Sequence, residues 1–175
     1  MRHIRQLVAA FFVTVSAFAA VPAVSDAATC TGADTAGSSK LGVRATLCLL
    51  NAERRAAGLR RLHLDTKLNR AASGHARDMV AKRYFDHDSK SGAGFDDRIK
   101  RTGWTKSRHS WTMGENIGWG GGELSTPRAM VRGWMHSSGH KANILSHRFR
   151  FIGIGIANGA PTGDAGATYA TDFGG

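Results

Sequence analysis

The chain has 175 residues, with 24 Lys+Arg against 13 Asp+Glu and a formal net charge of +11. Hydrophobic residues make up 42% and charged residues 21%, enough apolar material for one packed core; this excludes a disordered chain, and the length excludes a comfortable pair of domains. The acids are lopsided, ten Asp against three Glu (Glu53, Glu115 and Glu123), so chemistry that needs a glutamate has few places to stand.

Residues 1–6 are short and basic, residues 7–21 carry no charge, and Ser25-Asp26-Ala27 fits a small-x-small cleavage rule. This is the layout of a secretory signal peptide cut after Ala27, and the apolar run falls short of the roughly 20 residues that a membrane-spanning helix needs. The expected organisation is a signal peptide over 1–27, a flexible N-terminal arm over 28–40 and one folded domain over 41–175, secreted into the extracellular space. Loss of Arg2, Arg5 and Asp26 leaves a net charge of +10. Such a surface is drawn to an anionic envelope polymer or lipid. No dense basic run or groove speaks for nucleic acid. Cys30 and Cys48 form an even pair in an exported chain and predict a disulfide, worth about 3 kcal/mol for a loop of that length.

Along the domain, Val43, Leu47, Leu50 and Ala57 recur at helical spacing, and Gly58 stands where that helix would stop. Residues 59–64 alternate loosely and lead to Asp65-Thr66, possible N-caps. Leu68, Ala71, Ala72, His75, Ala76, Met79 and Val80 form a second helical stripe ending near Arg83, and His75 on it reads as a core histidine. Residues 84–94 break the period. A short helix is expected over 95–102, with Arg98 inside it, and a strand over 113–119. Thr126 caps a helix with Pro127 at its first position and Met130, Val131, Trp134 and Met135 on its apolar face. A short helical turn over 140–145 follows. Two strands, 149–157 and 167–173, close the chain as a hairpin with a long loop. Partly segregated helices and strands predict an α+β fold with a small antiparallel sheet and helices against its faces. Nothing signals a symmetric partner surface, so a monomer is expected.

There is no phosphate-binding G-x-x-x-x-G-K-[ST], no G-x-S-x-G elbow and no H-E-x-x-H. What remains is a scatter of histidines in the polar breaks between elements: His87, His109, His136, His140 and His147. Four segments together are more informative: Tyr84-Phe85-Asp86-His87, Gly114-Glu115-Asn116-Ile117, the run Trp134–His140, and the run Phe151–Ile156. With an opening Leu-x-x-x-N-x-x-R from Leu47 to Arg54 and a closing Asp172-Phe173-Gly174, the chain resembles the CAP superfamily of cysteine-rich secretory, antigen-five and pathogenesis-related proteins, and within it the bacterial secreted branch.

The resemblance implies a three-layer α–β–α sandwich with a central cleft of histidines and acids, which in some members binds a divalent metal such as Zn2+. Carried over by position, the cleft residues are His87, Glu115 and His140, with Asn116 beside Glu115. Ser137 stands where many eukaryotic members have a second glutamate. Two imidazoles and one carboxylate are a known zinc set that leaves a position open for water. The same three groups could instead hydrogen-bond one another and fix the cleft. The family carries extracellular binding roles, including lipids, and no agreed common reaction. The functional expectation is therefore a secreted binding module, with a metal-dependent hydrolase of peptide or phosphodiester bonds as the alternative. Trp119 is a candidate groove residue and Trp134 a candidate core residue.

Overall fold

The computed structural model describes residues 29–38 and 40–175; the expected signal peptide over 1–27 lies outside the described residues. The elements, in chain order, are α1 (Lys40–Ala56), β1 (His63–Leu64), α2 (Thr66–Lys82), α3 (Phe95–Arg101), β2 (Met113–Gly120), a 3-10 turn (Gly122–Ser125), α4 (Pro127–Met135), α5 (Ser138–Ile144), β3 (Phe151–Asn158) and β4 (Ala167–Gly174). They form a sheet in the order β1-β3-β4-β2 between helical layers. The three long strands are antiparallel, as expected. Beyond that expectation, His63 and Leu64 add a short parallel pairing to Phe151 and Ile152 at one edge. Two residues are too few to show a periodicity in sequence.

Local chemistry explains the elements. Asp65 caps α2, its side chain accepting from the backbone N–H of Lys67 and Leu68 at 2.8 and 3.0 Å, which satisfies two donors that a helix start leaves open. Thr126 caps α4 in the same way, through the Ala129 N–H. The chain leaves α1 through Gly58 at φ +69°.

The alternation along the strands sorts the two faces. Ile152, Ile154, Tyr169 and Phe173 join Leu49, Leu50, Val131 and Trp134 in a core between the sheet and the layer of α1 and α4. On the other face, Ile117 and Ala170 pack against Ala72, Ala76 and Met79 of α2. Gly153 and Gly155 explain how close α2 comes. A Cβ at either would collide with the backbone of Leu68 or Ala72, so the helix rests directly on β3. Every residue of the central strand β4 is buried.

Cys30 and Cys48 form a disulfide with Cα atoms 5.8 Å apart. The segment read as a flexible arm is pinned where it is described. Ala33 is 1% exposed within the first core, its carbonyl accepts from the Arg128 N–H at 2.9 Å, and Asp34 pairs with the Arg128 guanidinium at 2.7 and 3.1 Å. The bridge to α1 and the ion pair to α4 hold it from both sides. Small polar residues read as loop in sequence because neither partner is local.

Candidate functional site

The three residues singled out in sequence come from three different layers. Glu115 lies on β2, a sheet edge, and its register partner on β4 is Asp172. Both therefore face α2, as does Gly153 next to them on β3. His87 hangs from the loop after α2. His140 is on α5, across the sheet edge, and Asn116 points to that side because neighbouring strand residues alternate.

Glu115 is fully buried as a side chain and is held at both oxygens. Oε1 is 2.8 Å from His87 Nδ1, and Oε2 is 2.7 Å from Arg98 Nη2. His75 Nε2 stands 4.0 Å from Oε2. Arg98 also donates through Nη1 to the His87 carbonyl at 2.9 Å, to the Ala93 carbonyl at 2.9 Å and to Ser89 Oγ at 3.3 Å. One guanidinium thus fixes both the carboxylate and the loop that carries its imidazole partner. His75 Nε2 donates to the Asp86 carbonyl at 2.9 Å and pins the same loop from α2. A carbonyl can only accept, so that ring carries its proton on Nε2.

On the other side, Asn116 Nδ2 donates to the His140 carbonyl at 3.1 Å. Asn143 Nδ2 donates to the Glu115 carbonyl and to Asn116 Oδ1 at 3.1 and 2.9 Å. These bonds clip α5 to β2. The His140 ring lies 6.4 Å from the Trp134 ring, tilted by 53°, and makes no hydrogen bond among the described residues. Ser137 is the N-cap residue of α5, without a side-chain capping bond.

The electrostatics follow from this packing. The hydrogen bond to Glu115 raises the His87 pKa above its ordinary value. Burial lowers that of His140, and the nearby His87 lowers it further. Burial also lowers His75. Asp172 is 0% exposed and neither of its oxygens has a hydrogen-bond partner among the described residues. Burial, and then the charge on Glu115, push its carboxyl well above the usual range.

The folded state therefore holds the Asp172 proton more tightly than the unfolded chain does. Stability associated with that proton is fully present below about pH 4 and is lost as pH rises toward the folded pKa. Asp172→Asn should remove that loss. Urea unfolding at about pH 4 and pH 6 is expected to show a smaller decline with pH in the variant than in the wild type; the histidines titrate in both proteins, so the difference between the two declines reports Asp172. Equal declines would contradict the assignment of a proton to Asp172.

A groove of about 410 Å³ runs beside β2 on the His140 side, lined by Phe85, Trp119, Leu124, Met130, Trp134, Ser137 and His140 among others. Trp119 is 42% exposed there. Trp134 is buried at 2%, donates from Nε1 to the Ile117 carbonyl at 3.0 Å and meets Tyr169 edge-on. His136 turns back to the Arg132 carbonyl at 2.8 Å, and His109 and His147 are exposed elsewhere.

A family-model comparison matches the "Cysteine-rich secretory protein family" over residues 47–171. The chain belongs to the CAP family. Among curated relatives, the uncharacterized protein YkwD of Bacillus subtilis is 40% identical over 107 residues, which is 61% of this chain and 39% of that protein. The uncharacterized membrane protein YlbC of the same organism is 33% identical over 110 residues, 63% of this chain and 30% of that protein. This CAP chain thus spans well under half the length of those relatives. Among solved structures, an extracellular protein containing an SCP domain from Bacillus anthracis matches with a TM-score of 0.60 at 26% identity, over 78% of this chain and 43% of that one. An outer surface protein of Borrelia burgdorferi matches with a TM-score of 0.64 at 20% identity, over 79% of this chain and 96% of that one. These likenesses show the α–β–α sandwich.

The family implies a divalent metal in this cleft in some members. Among the described residues no three His, Cys, Asp or Glu side chains are grouped so as to hold a metal ion. The reason is local. Both Glu115 oxygens are already engaged, one of them by a cation, and the position of a second acid holds Ser137. As arranged, the CAP cleft does not fit a three-ligand zinc site. Sequence reading missed Arg98 as the centre of the cluster, and also Asp172 and Asn143. Asp172 was visible as part of the closing motif, and strand alignment could have paired it with Glu115.

Proposed function

We propose that this CAP domain is an extracellular binding module whose groove beside β2 takes an amphipathic, largely apolar ligand. The observation that carries the reading is a convergence. Phe85, Trp119 and Leu124 are 45%, 42% and 63% exposed, and all three line the same groove. Large apolar side chains scattered singly over a surface are ordinary; three on one concavity mark a contact site. Met130 and Trp134 supply more of its apolar lining, and Ser137 and His140 offer a polar end. Two structural neighbours, one an extracellular protein and the other an outer surface protein, support the location. Among the described residues no helix is long and apolar enough to cross a membrane.

The metal-dependent hydrolase is the weaker reading, because it needs Glu115 released from both His87 and Arg98. The test of the binding reading is a titration of the protein with a sterol and with a long-chain fatty acid, followed by tryptophan emission. A saturable change is expected, absent in Trp119→Ala. Leu124→Asp should weaken binding by about tenfold or more, because it buries a charge against apolar ligand. Unchanged emission with both ligands, or wild-type affinity in Leu124→Asp, counts against the groove.

A further inference from the structure

A second concavity, of about 460 Å³, opens at the opposite edge of the sheet from Glu115, where β1 stops and leaves the rest of β3 uncovered. One wall is α2, which presents Asn69, Ser73 and Arg77, each four residues from the next and so on one face. The other wall is the start of α1, with Lys40, Val43 and Arg44, preceded by Ser38. Ile154 and Ile156 of β3 form the floor. Lys40, Arg44 and Arg77 are all exposed, no acidic residue lines the groove, and none of the three has an acidic partner among the described residues.

The placement of these cations is costly to the fold. Lys40 and Arg44 lie in the first turns of α1, the positive end of the helix dipole, and the first turn carries no acid. Cations there are unfavourable, and like charges four residues apart repel. Nothing in the packing of α1 calls for them, whereas an anion in the groove would relieve both effects.

We propose that this groove binds a phosphodiester chain of the kind found in anionic envelope polymers. Cations stand on both walls, so a linear anion lying between them is met from two sides. Two hydroxyls and an amide add uncharged donors for the oxygens between charges, and Arg forks suit phosphate oxygens. No aromatic side chain lines the groove, so base stacking is not part of the recognition. A planar bilayer rests on a convex face and would not reach the Ile154–Ile156 floor. The site is separate from the groove beside β2, and its test is independent of that reading.

The experiment titrates a soluble poly(glycerol phosphate) onto the full chain at several salt concentrations. The wild type is compared with the triple variant Lys40→Ala/Arg44→Ala/Arg77→Ala and with a control triple variant, Arg101→Ala/Lys106→Ala/Lys141→Ala. Both remove three exposed positive charges, and thermal unfolding checks that both fold. Three phosphate contacts predict a log–log salt slope of about −2. The groove variant should lose that slope and bind about tenfold or more weakly, while the control changes little. Equal losses in the two variants would overturn the proposal. So would no binding by the wild type, equal affinity for a polyglutamate of matched charge, tighter binding of single-stranded DNA, or binding confined to phosphatidylglycerol vesicles.

Discussion

Replacing Arg98 by alanine is expected to lower the free energy of unfolding by about 3–5 kcal/mol, the range for removing one member of a buried ion pair. The Arg98 side chain is 9% exposed and Glu115 is fully buried. Truncation leaves Glu115 Oε2 desolvated beside the buried Asp172 carboxyl, and it strips the carbonyls of His87 and Ala93 of a charged donor. Lysine should recover little, because one ammonium cannot reach the carboxylate and both carbonyls in the fork geometry that Arg98 uses. The informative companion is Glu115→Gln, which removes the charge that Arg98 answers. In a double-mutant cycle by urea denaturation, the pair should show a coupling above about 1 kcal/mol. A single-variant loss below about 1 kcal/mol would mean that the cluster does not hold the cleft together. The same variant frees the His87 loop, so its effect on ligand binding separates the cleft's architecture from the groove beside it.

How far these features could be read in advance depends on where each residue's partner lies. α2 was legible because its stripe and its Asp65 cap are local, and His75 read as a core histidine because it stands on that stripe; it is 1% exposed. The three long strands were legible from alternation and turn residues. His87, Glu115 and His140 were identified by resemblance to a family, since no spacing joins residues on a loop, a strand and a helix. Arg98 was not legible as a hub. A basic residue on a short helix looks like a solvated face, and its burial is decided by β2 folding over it from 17 residues away. Asp172 shares this problem. The alternation in β4 separates its side from that of Thr171 and Phe173, but only the approach of α2 over Gly153 makes that side interior. In each case the missing information is a contact between layers, which periodicity along the chain does not contain.

Arg54 gives the second large expected effect, and it gives part of the opening family motif a role in the scaffold. Four residues after Leu50 and three before Ala57, Arg54 lies on the stripe of α1 itself, and it is 1% exposed. Its Nε donates to the Arg60 carbonyl at 2.8 Å, Nη1 to the carbonyls of Ile144 and Ser146 at 2.6 and 2.9 Å, and Nη2 to that of Phe149 at 3.1 Å. One side chain thus caps the end of α5 and ties the segment leading into β3 to α1. Asn51, one turn earlier, does the same for Leu62, donating to its carbonyl and accepting from its N–H at 3.1 and 2.7 Å. The Asn and Arg of the motif are therefore backbone clamps, and their spacing of three puts them on one helix face toward the chain's returning segments. Burial lowers the Arg54 pKa, as expected for a cation compensated only by carbonyl dipoles. Arg54→Met fills similar volume but leaves four carbonyls without donors. Hydrogen bonds from a charged group are each worth about 1.5–3 kcal/mol, and they do not add fully. A loss of about 3–5 kcal/mol is expected, measured by urea or thermal unfolding. Because α5 carries His140 and is held at one end by Arg54 and along its length by Asn143, amide exchange in 138–144 should rise in the variant more than in α2. Uniform exchange changes across both helices would show that Arg54 supports the fold generally and does not set the position of the cleft's second imidazole.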